Sequence, residues 1–268
     1  MKMENKDFLL QVKDVSVSYK NNKVISGVSL NIERGKIYSI IGPNGCGKTT
    51  LMRVMGRNLK PDSGDILLDG KNIFRVSSKS VARNVAVLTQ NHNTTSDVSV
   101  KALVQYGRYA HQEWWRGKNT EDEEIVDWAI GRAALHGYEN RKINTLSGGE
   151  QQRAWIAMSI AQKPKLLLFD EPTTYLDISH QLEIMELVSS LNREDGITIV
   201  MVLHDINHAA RFSDRMAVIF GQKVYMEGEP WDVLSGNVLK DVFRVSAEVT
   251  NDTETGKPIF YAKNVIRG

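Results

Sequence analysis

Residues 42–50 read Gly42-Pro43-Asn44-Gly45-Cys46-Gly47-Lys48-Thr49-Thr50. The spacing G-x-x-x-x-G-K-T suits a loop wrapped around phosphate. Glycines let the backbone curl so that several N–H groups point at one anion. A helix that starts just beyond adds its positive end. Lys48 supplies a point charge for the terminal phosphates of a nucleoside triphosphate, and the Thr49 hydroxyl is a ligand for Mg²⁺. Cys46 has two readings. A helix N-terminus lowers a thiol pKa and would make it reactive, or the residue is a small filler in a variable loop position.

A triphosphate site with Mg²⁺ needs a second metal anchor and a base. Leu166-Leu167-Leu168-Phe169-Asp170-Glu171 offers both. Four apolar residues predict a buried strand, and its carboxyl end is where ligands bind in open α/β sheets. Asp170 would hold the Mg²⁺ shell, mainly through water, and Glu171 would polarise the attacking water. The bland alternative is an acidic helix cap at a strand end. His204 follows another apolar run, Ile197–Leu203, and its place parallels Glu171, which predicts a γ-phosphate contact. Gln90 closes the run Val85–Leu88, and its neutral amide would touch Mg²⁺ or water.

About a hundred positions beyond the loop comes Leu146-Ser147-Gly148-Gly149-Glu150-Gln151-Gln152-Arg153. Ser147 and Glu150 have the S-x-x-E spacing of a capping box, so a helix starts just after Ser147. Its first N–H groups, two of them on Gly148 and Gly149, form a second anion site. The chain's own loop already surrounds its own nucleotide, so the economical arrangement places this second socket on another copy. A two-fold homodimer resolves this: the loop of one protomer and the helix end of the other sandwich one ATP, twice over. Closure then depends on the γ-phosphate, and hydrolysis reopens the pair.

The elements that must position these groups follow from pattern. Phe8–Tyr19 and Val24–Ile32 alternate in part, Ile37–Ile41 is a short apolar run, and Ile66–Leu68, Val85–Leu88 and Met216–Phe220 are further strands. Helices are predicted over Lys48–Asn58, Val100–Tyr109, Glu121–Leu135, Gly148–Ala161 and Ser179–Arg193. Buried strands alternating with helices imply an α/β fold with a parallel sheet. Residues from about 91 to 161 read as a helical lobe, and the tail from Val245 is polar with no clear period. At 268 residues and 41% hydrophobic content the chain can bury a sizeable core, and its net charge of +2 gives no pull toward nucleic acid. The single cysteine excludes an intramolecular disulfide. No window approaches the about 20 apolar residues of a membrane helix, and the N-terminus has no secretory signal, so the pattern predicts a soluble protein that meets a membrane only through partners.

With these residues in hand, the chain resembles the ATP-binding subunits of ABC transporters, over roughly Leu10–Val245. The resemblance implies a P-loop NTPase fold of the ABC ATPase type. It has a RecA-like core, an N-terminal antiparallel β-subdomain and an inserted helical subdomain at about 91–161, all within 8–244, with 245–268 as a C-terminal tail. Walker A corresponds to Gly42–Thr49, the Q-loop to Gln90 and the signature to Leu146–Glu150. Walker B corresponds to Leu166–Asp170 with catalytic Glu171, the D-loop to Tyr175–Asp177, and the switch histidine to His204. By the same resemblance Tyr19 would stack on adenine, and Asp177 would lie at the nucleotide.

GRYAHQ at 107–112, DEPTTYLDISHQLEIMELV at 170–188 and VLHDINHAARFSDRMAVI at 202–219 resemble importers of ferric siderophores, with haem and cobalamin importers as relatives. That implies ATP and Mg²⁺, a homodimer, two transmembrane permease subunits, an extracytoplasmic substrate-binding protein, and a peripheral place on the cytoplasmic face of the membrane. The region near Asn91–Asp97 and Tyr106–Trp115 would receive the permease. The neighbouring Trp114 and Trp115 motivate this, although packing inside the helical lobe would also explain them. Three rivals fit less well. A soluble ABC ATPase on DNA or the ribosome would carry coiled coils or a second cassette, a non-hydrolysing module would lack Lys48 or Glu171, and an exporter would lack the importer-like stretches.

Overall fold

The computed structural model describes residues 7–20, 22–90, 97–112 and 120–267. In chain order the first part holds β1 (Phe8–Tyr19), β2 (Asn22–Glu33), β3 (Ile37–Ile41), α1 (Lys48–Met55), β4 (Ser63–Leu68) and β5 (Lys71–Asn72). Next come α2 (Ser78–Ala82), β6 (Val85–Leu88), α3 (Val100–Tyr106), α4 (Thr120–Arg132), α5 (Gly148–Ala161), β7 (Leu166–Asp170) and α6 (Ile178–Asp195). The last part holds β8 (Thr198–Val202), α7 (Ile206–Phe212), β9 (Arg215–Phe220), β10 (Lys223–Gly228), α8 (Pro230–Val233), α9 (Gly236–Asp241), β11 (Val245–Asn251) and β12 (Pro258–Val265). Two compact units result, one from Met1–Arg75 with Thr198–Gly268 and one from Val76–Ile197.

The first unit contains an antiparallel sheet in the order β2-β1-β4-β5. Its inward residues, among them Leu10, Val12, Val15, Ile25, Leu30, Ile32 and Ile66, are fully buried, and the period-2 alternation of β2 follows from having one wet face. The same unit runs β3 parallel to both β8 and β9, with β10 antiparallel on β9. Every residue of β3 and β8 is buried, which is why these strands read as continuous apolar runs. Because β3 and β8 run the same way, with Ile40 opposite Val202, the segments that follow them leave from one edge.

In the second unit β6 and β7 are parallel, with Leu88 opposite Phe169. Helix α5 buries Ala154, Ile156, Ala157, Ile160 and Ala161 and packs on α3, α4 and α6. Arg108, just beyond α3, is buried between the Asp122 carboxylate at 2.7 Å and the Ala161 carbonyl at 2.8 Å, so its charge is paired and also caps the end of α5.

Several element ends differ from expectation. Helix α1 stops at Met55 rather than Asn58, because Gly56 and left-handed Arg57 turn the chain back. Helix α3 stops at Tyr106 rather than Tyr109, with Gly107 as its cap. Helix α4 stops at Arg132 rather than Leu135, shortly before left-handed Ala134. The polar tail from Val245 is an antiparallel hairpin. Strand β12 is mostly exposed on both faces, so its sequence shows no alternation. Among the described residues no helix is long and apolar enough to cross a membrane.

Candidate functional site

The phosphate-type loop springs from β3 in the first unit. Gly42, Gly45 and Gly47 all take positive φ. At Gly42 a Cβ would stand 2.2 Å from the Ile219 carbonyl oxygen, and at Gly47 2.6 Å from Ile25 Cγ2, so only glycine lets the loop lie against β9 and β2. Pro43 accepts from the Cys46 N–H at 3.3 Å, which closes the turn, with Asn44 and Gly45 exposed at its tip. Lys48 is buried, and its ammonium donates to the Gly42 and Pro43 carbonyls at 2.9 and 3.0 Å. The loop thus holds its cation over its own concavity. Thr49 is half-buried and Thr50 buried in the first turn of α1.

Cys46 departs from the reactive reading. Burial pushes its thiol pKa up, and the Lys48 charge and nearby backbone N–H groups only partly oppose it. Tyr19 ends β1 as an exposed residue, next to a turn through left-handed Lys20. His204 is exposed between β8 and α7, at the edge from which the loop after β3 also leaves. Asp205 caps α7 by accepting from the His208 N–H at 2.9 Å.

In the second unit, β7 ends on buried Asp170. Glu171 has φ 58°, a conformation costly for a residue with a Cβ. The register of β6 on β7 brings Gln90 to the same edge. Its amide donates to Glu171 Oε2 at 2.6 Å, and the Thr174 hydroxyl donates to the same oxygen at 3.2 Å.

The box predicted at Ser147 is formed. The Glu150 N–H donates to Ser147 Oγ at 3.3 Å and the Ser147 N–H to Glu150 Oε2 at 2.7 Å. That second bond holds the Glu150 carboxyl below its usual range. Ser147 and Gly148 are exposed at the start of α5 and Gly149 is buried. A Cβ on Gly149 would meet His180 Cδ2 at 2.3 Å, so this glycine also makes room for the first turn of α6. Asp177 caps α6. Its Oδ1 accepts from the His180 N–H at 3.0 Å, from His180 Nδ1 at 2.7 Å and from Ser179 Oγ at 3.0 Å, which lowers its pKa. Tyr175 before it is left-handed and exposed. Thr174 and His180 carried no sequence signal, since a lone Thr or His in a loop or first turn fits no spacing rule. Asn91 to Ser96 as well as Trp114 and Trp115 lie outside the described residues.

The family model for ABC transporters matches residues 25–174, which span the phosphate-type loop, Gln90, the Ser147 cap and Glu171. The chain belongs to the ABC transporter family. This ABC ATPase is 46% identical to the petrobactin import ATP-binding protein FpuC of Bacillus anthracis, over 96% of this chain and 94% of that one. It is 42% identical to the iron(3+)-hydroxamate import ATP-binding protein FhuC of Bacillus subtilis, over 96% of each. Among solved structures, a metal-chelate type ABC transporter in an inward-facing conformation aligns with TM-score 0.83 at 23% identity, covering 96% of this chain and 98% of that one. The dimeric bacterial ABC transporter cassette MJ0796 aligns with TM-score 0.73 at 30% identity, covering 82% and 98%. The fold expected from the motifs is therefore the fold of this ABC ATPase.

Proposed function

We propose that this chain is the ATP-hydrolysing subunit of an importer of ferric siderophores, working as a homodimer at the cytoplasmic face of the cell membrane. The near-full-length relation to the petrobactin and iron(3+)-hydroxamate import ATPases carries the cargo reading. ATP is the substrate. The backbone of Gly42–Gly47 and the ammonium of Lys48 bind its phosphates, with Thr50 in the supporting turn, and Tyr19 offers a flat face to the base. Glu171 polarises the attacking water, and His204 contacts the γ-phosphate.

Thr49, Asp170 and Gln90 are the residues that would hold Mg²⁺. A hydroxyl, a carboxylate and an amide carbonyl are the hard oxygen donors this ion takes, so the donor chemistry fits. When bound, the ion neutralises charge on the phosphate oxygens.

The exposed start of α5 at Ser147, Gly148, Gly149 and Glu150, together with the neighbouring Asp177, meets the nucleotide of the second protomer. The dimeric cassette among the structural relatives supports that arrangement. Two permease subunits and an extracytoplasmic substrate-binding protein complete the importer. Exposed Tyr106 and Tyr109 support a permease contact beside the segment that carries Trp114 and Trp115, because exposed aromatics favour interfaces.

The test is uptake of radiolabelled ferric hydroxamates, ferric catecholates, ferric citrate, haem and cobalamin by a deletion strain complemented with wild type or Glu171→Gln. Rescue of one or more ferric siderophores by wild type alone is the expected result. Rescue of haem or cobalamin only would replace the cargo reading, and dependence of none would remove it.

A further inference from the structure

The hairpin of β11 and β12 follows all the motifs of the ATPase, and none of them explains it. It is nevertheless tied to α7, the helix that begins two residues after His204. The Asn207 amide in the first turn of α7 donates to the Phe260 carbonyl at 3.2 Å and accepts from the Phe260 N–H at 3.0 Å. One side-chain amide thus satisfies both backbone groups of a β12 residue, as a neighbouring strand would. At the other end of α7 the Lys257 ammonium donates to the carbonyl of the capping residue Ser213 at 2.8 Å, and Arg211 pairs with Glu254 at 3.5 Å. The Trp231 indole N–H donates to the Gly256 carbonyl at 3.0 Å, which binds the hairpin turn to α8 as well.

His204 lies between two supports. Behind it, β8 is buried and paired with β3, and the Leu203 N–H donates to the Ile40 carbonyl at 3.3 Å. Ahead of it, Asp205 is the cap of α7. The strand side is fixed by the sheet. The helix side is fixed where α7 is fixed, and a helix of seven residues depends on its tertiary contacts: α7 buries Ile206, Ala209 and Ala210 and packs on β3, α8 and the hairpin strand β12. The hairpin grips that helix at both ends, starting three residues beyond His204.

We propose that the C-terminal hairpin, through the Asn207–Phe260 amide pair, is the element that positions His204. Asn207 is a positioning residue and touches no substrate. The inference rests on the reading of His204 as the γ-phosphate contact. The amide carries on two separate atoms the donor and the acceptor that the Phe260 carbonyl and N–H engage. Aspartate keeps the acceptor and sets a negative charge against the Phe260 carbonyl, and leucine leaves both backbone groups unmatched.

The experiment is steady-state ATP hydrolysis by the full-length protein at a concentration that supports dimers, for wild type, Asn207→Leu, Asn207→Asp, Phe260→Pro and His204→Ala. Phe260→Pro breaks the same pair from the hairpin side by removing the N–H. Expected for Asn207→Leu and Phe260→Pro is a fall in kcat of about tenfold, with KM for ATP within about twofold of wild type. The double variant should be no slower than either single one, because both remove one link. Asn207→Asp, the mildest change, should fall between and serves as the readout if a harsher variant fails to fold. Binding of a fluorescent ATP analogue at wild-type affinity shows that the loop at Gly42–Thr49 is intact in each variant. Wild-type kcat in folded Asn207→Leu and Phe260→Pro would overturn the inference, as would additive losses in the double variant. If His204→Ala alone keeps wild-type turnover, the reading of His204 falls instead.

Discussion

The Gln90 amide donates to Glu171 Oε2 at 2.6 Å, across the paired ends of β6 and β7. The residue that precedes the helical span is therefore bonded directly to the proposed water-polarising carboxylate. Gln90→Ala removes that restraint and leaves the Thr174 hydroxyl on the same oxygen. Turnover is expected to fall about tenfold, with little change in ATP affinity. Glu171→Gln should lower turnover about 100-fold or more while ATP still binds, and the variant should accumulate as an ATP-bound dimer on size-exclusion chromatography. A monomeric Glu171→Gln at high protein and MgATP concentration would count against the sandwich.

Lys48 is held by the two carbonyls at the start of its own loop. Lys48→Ala removes the only cation among the loop residues 42–50. ATP turnover should drop to background, a loss of at least about 100-fold. Substantial residual hydrolysis in a purified preparation would break the loop assignment.

Gly148 and Gly149 should respond differently to the same added methyl group. A Cβ at Gly148 sits 3.5 Å from Leu176 Cδ2, an ordinary contact, whereas one at Gly149 lands 2.3 Å from His180 Cδ2. Gly149→Ala must therefore displace His180 and break its bond to Asp177, at a cost of about 1–3 kcal/mol. Thermal melts of the two variants side by side give the comparison, with Gly148→Ala near wild type. Equal melting temperatures would show that His180 moves freely.

Glu150 supplies a pH dependence. Its folded pKa is depressed, first by the Ser147 N–H. Its contribution is present above the unfolded carboxylate pKa and is lost as pH falls through the folded value. Glu150→Gln keeps an acceptor that does not titrate. The stability advantage of wild type over Glu150→Gln should shrink as pH is lowered from about 6 to about 3. An advantage that grows on acidification would reverse the assignment.

Cys46 is the single cysteine, so alkylation reports on it alone. Burial raises its thiol pKa. At neutral pH iodoacetamide should react more slowly than with a free cysteine, and the rate should climb as pH rises. A faster rate than that of free cysteine would restore the reactive reading.

Local pattern determined much of this protein. The run Ile37–Ile41, the glycines of 42–47 and the spacing of Ser147 and Glu150 act within a few residues, and so their strand, loop and capping box are visible in the order of residues alone. The buried strand ending in Asp170 and the family membership followed from the same short motifs. Tertiary structure decided what depends on distant partners. The contact of Gln90 with Glu171 needs the parallel register of β6 and β7, and the size limit at Gly149 needs His180 from another helix. The Cys46 thiol moves up because the packed loop removes water from it, which outweighs the pull of Lys48. The tail from Val245 becomes an ordered hairpin against α7 through Asn207, 53 positions before the Phe260 it holds. No periodicity records such a contact, because its energy comes from two backbone groups finding one amide.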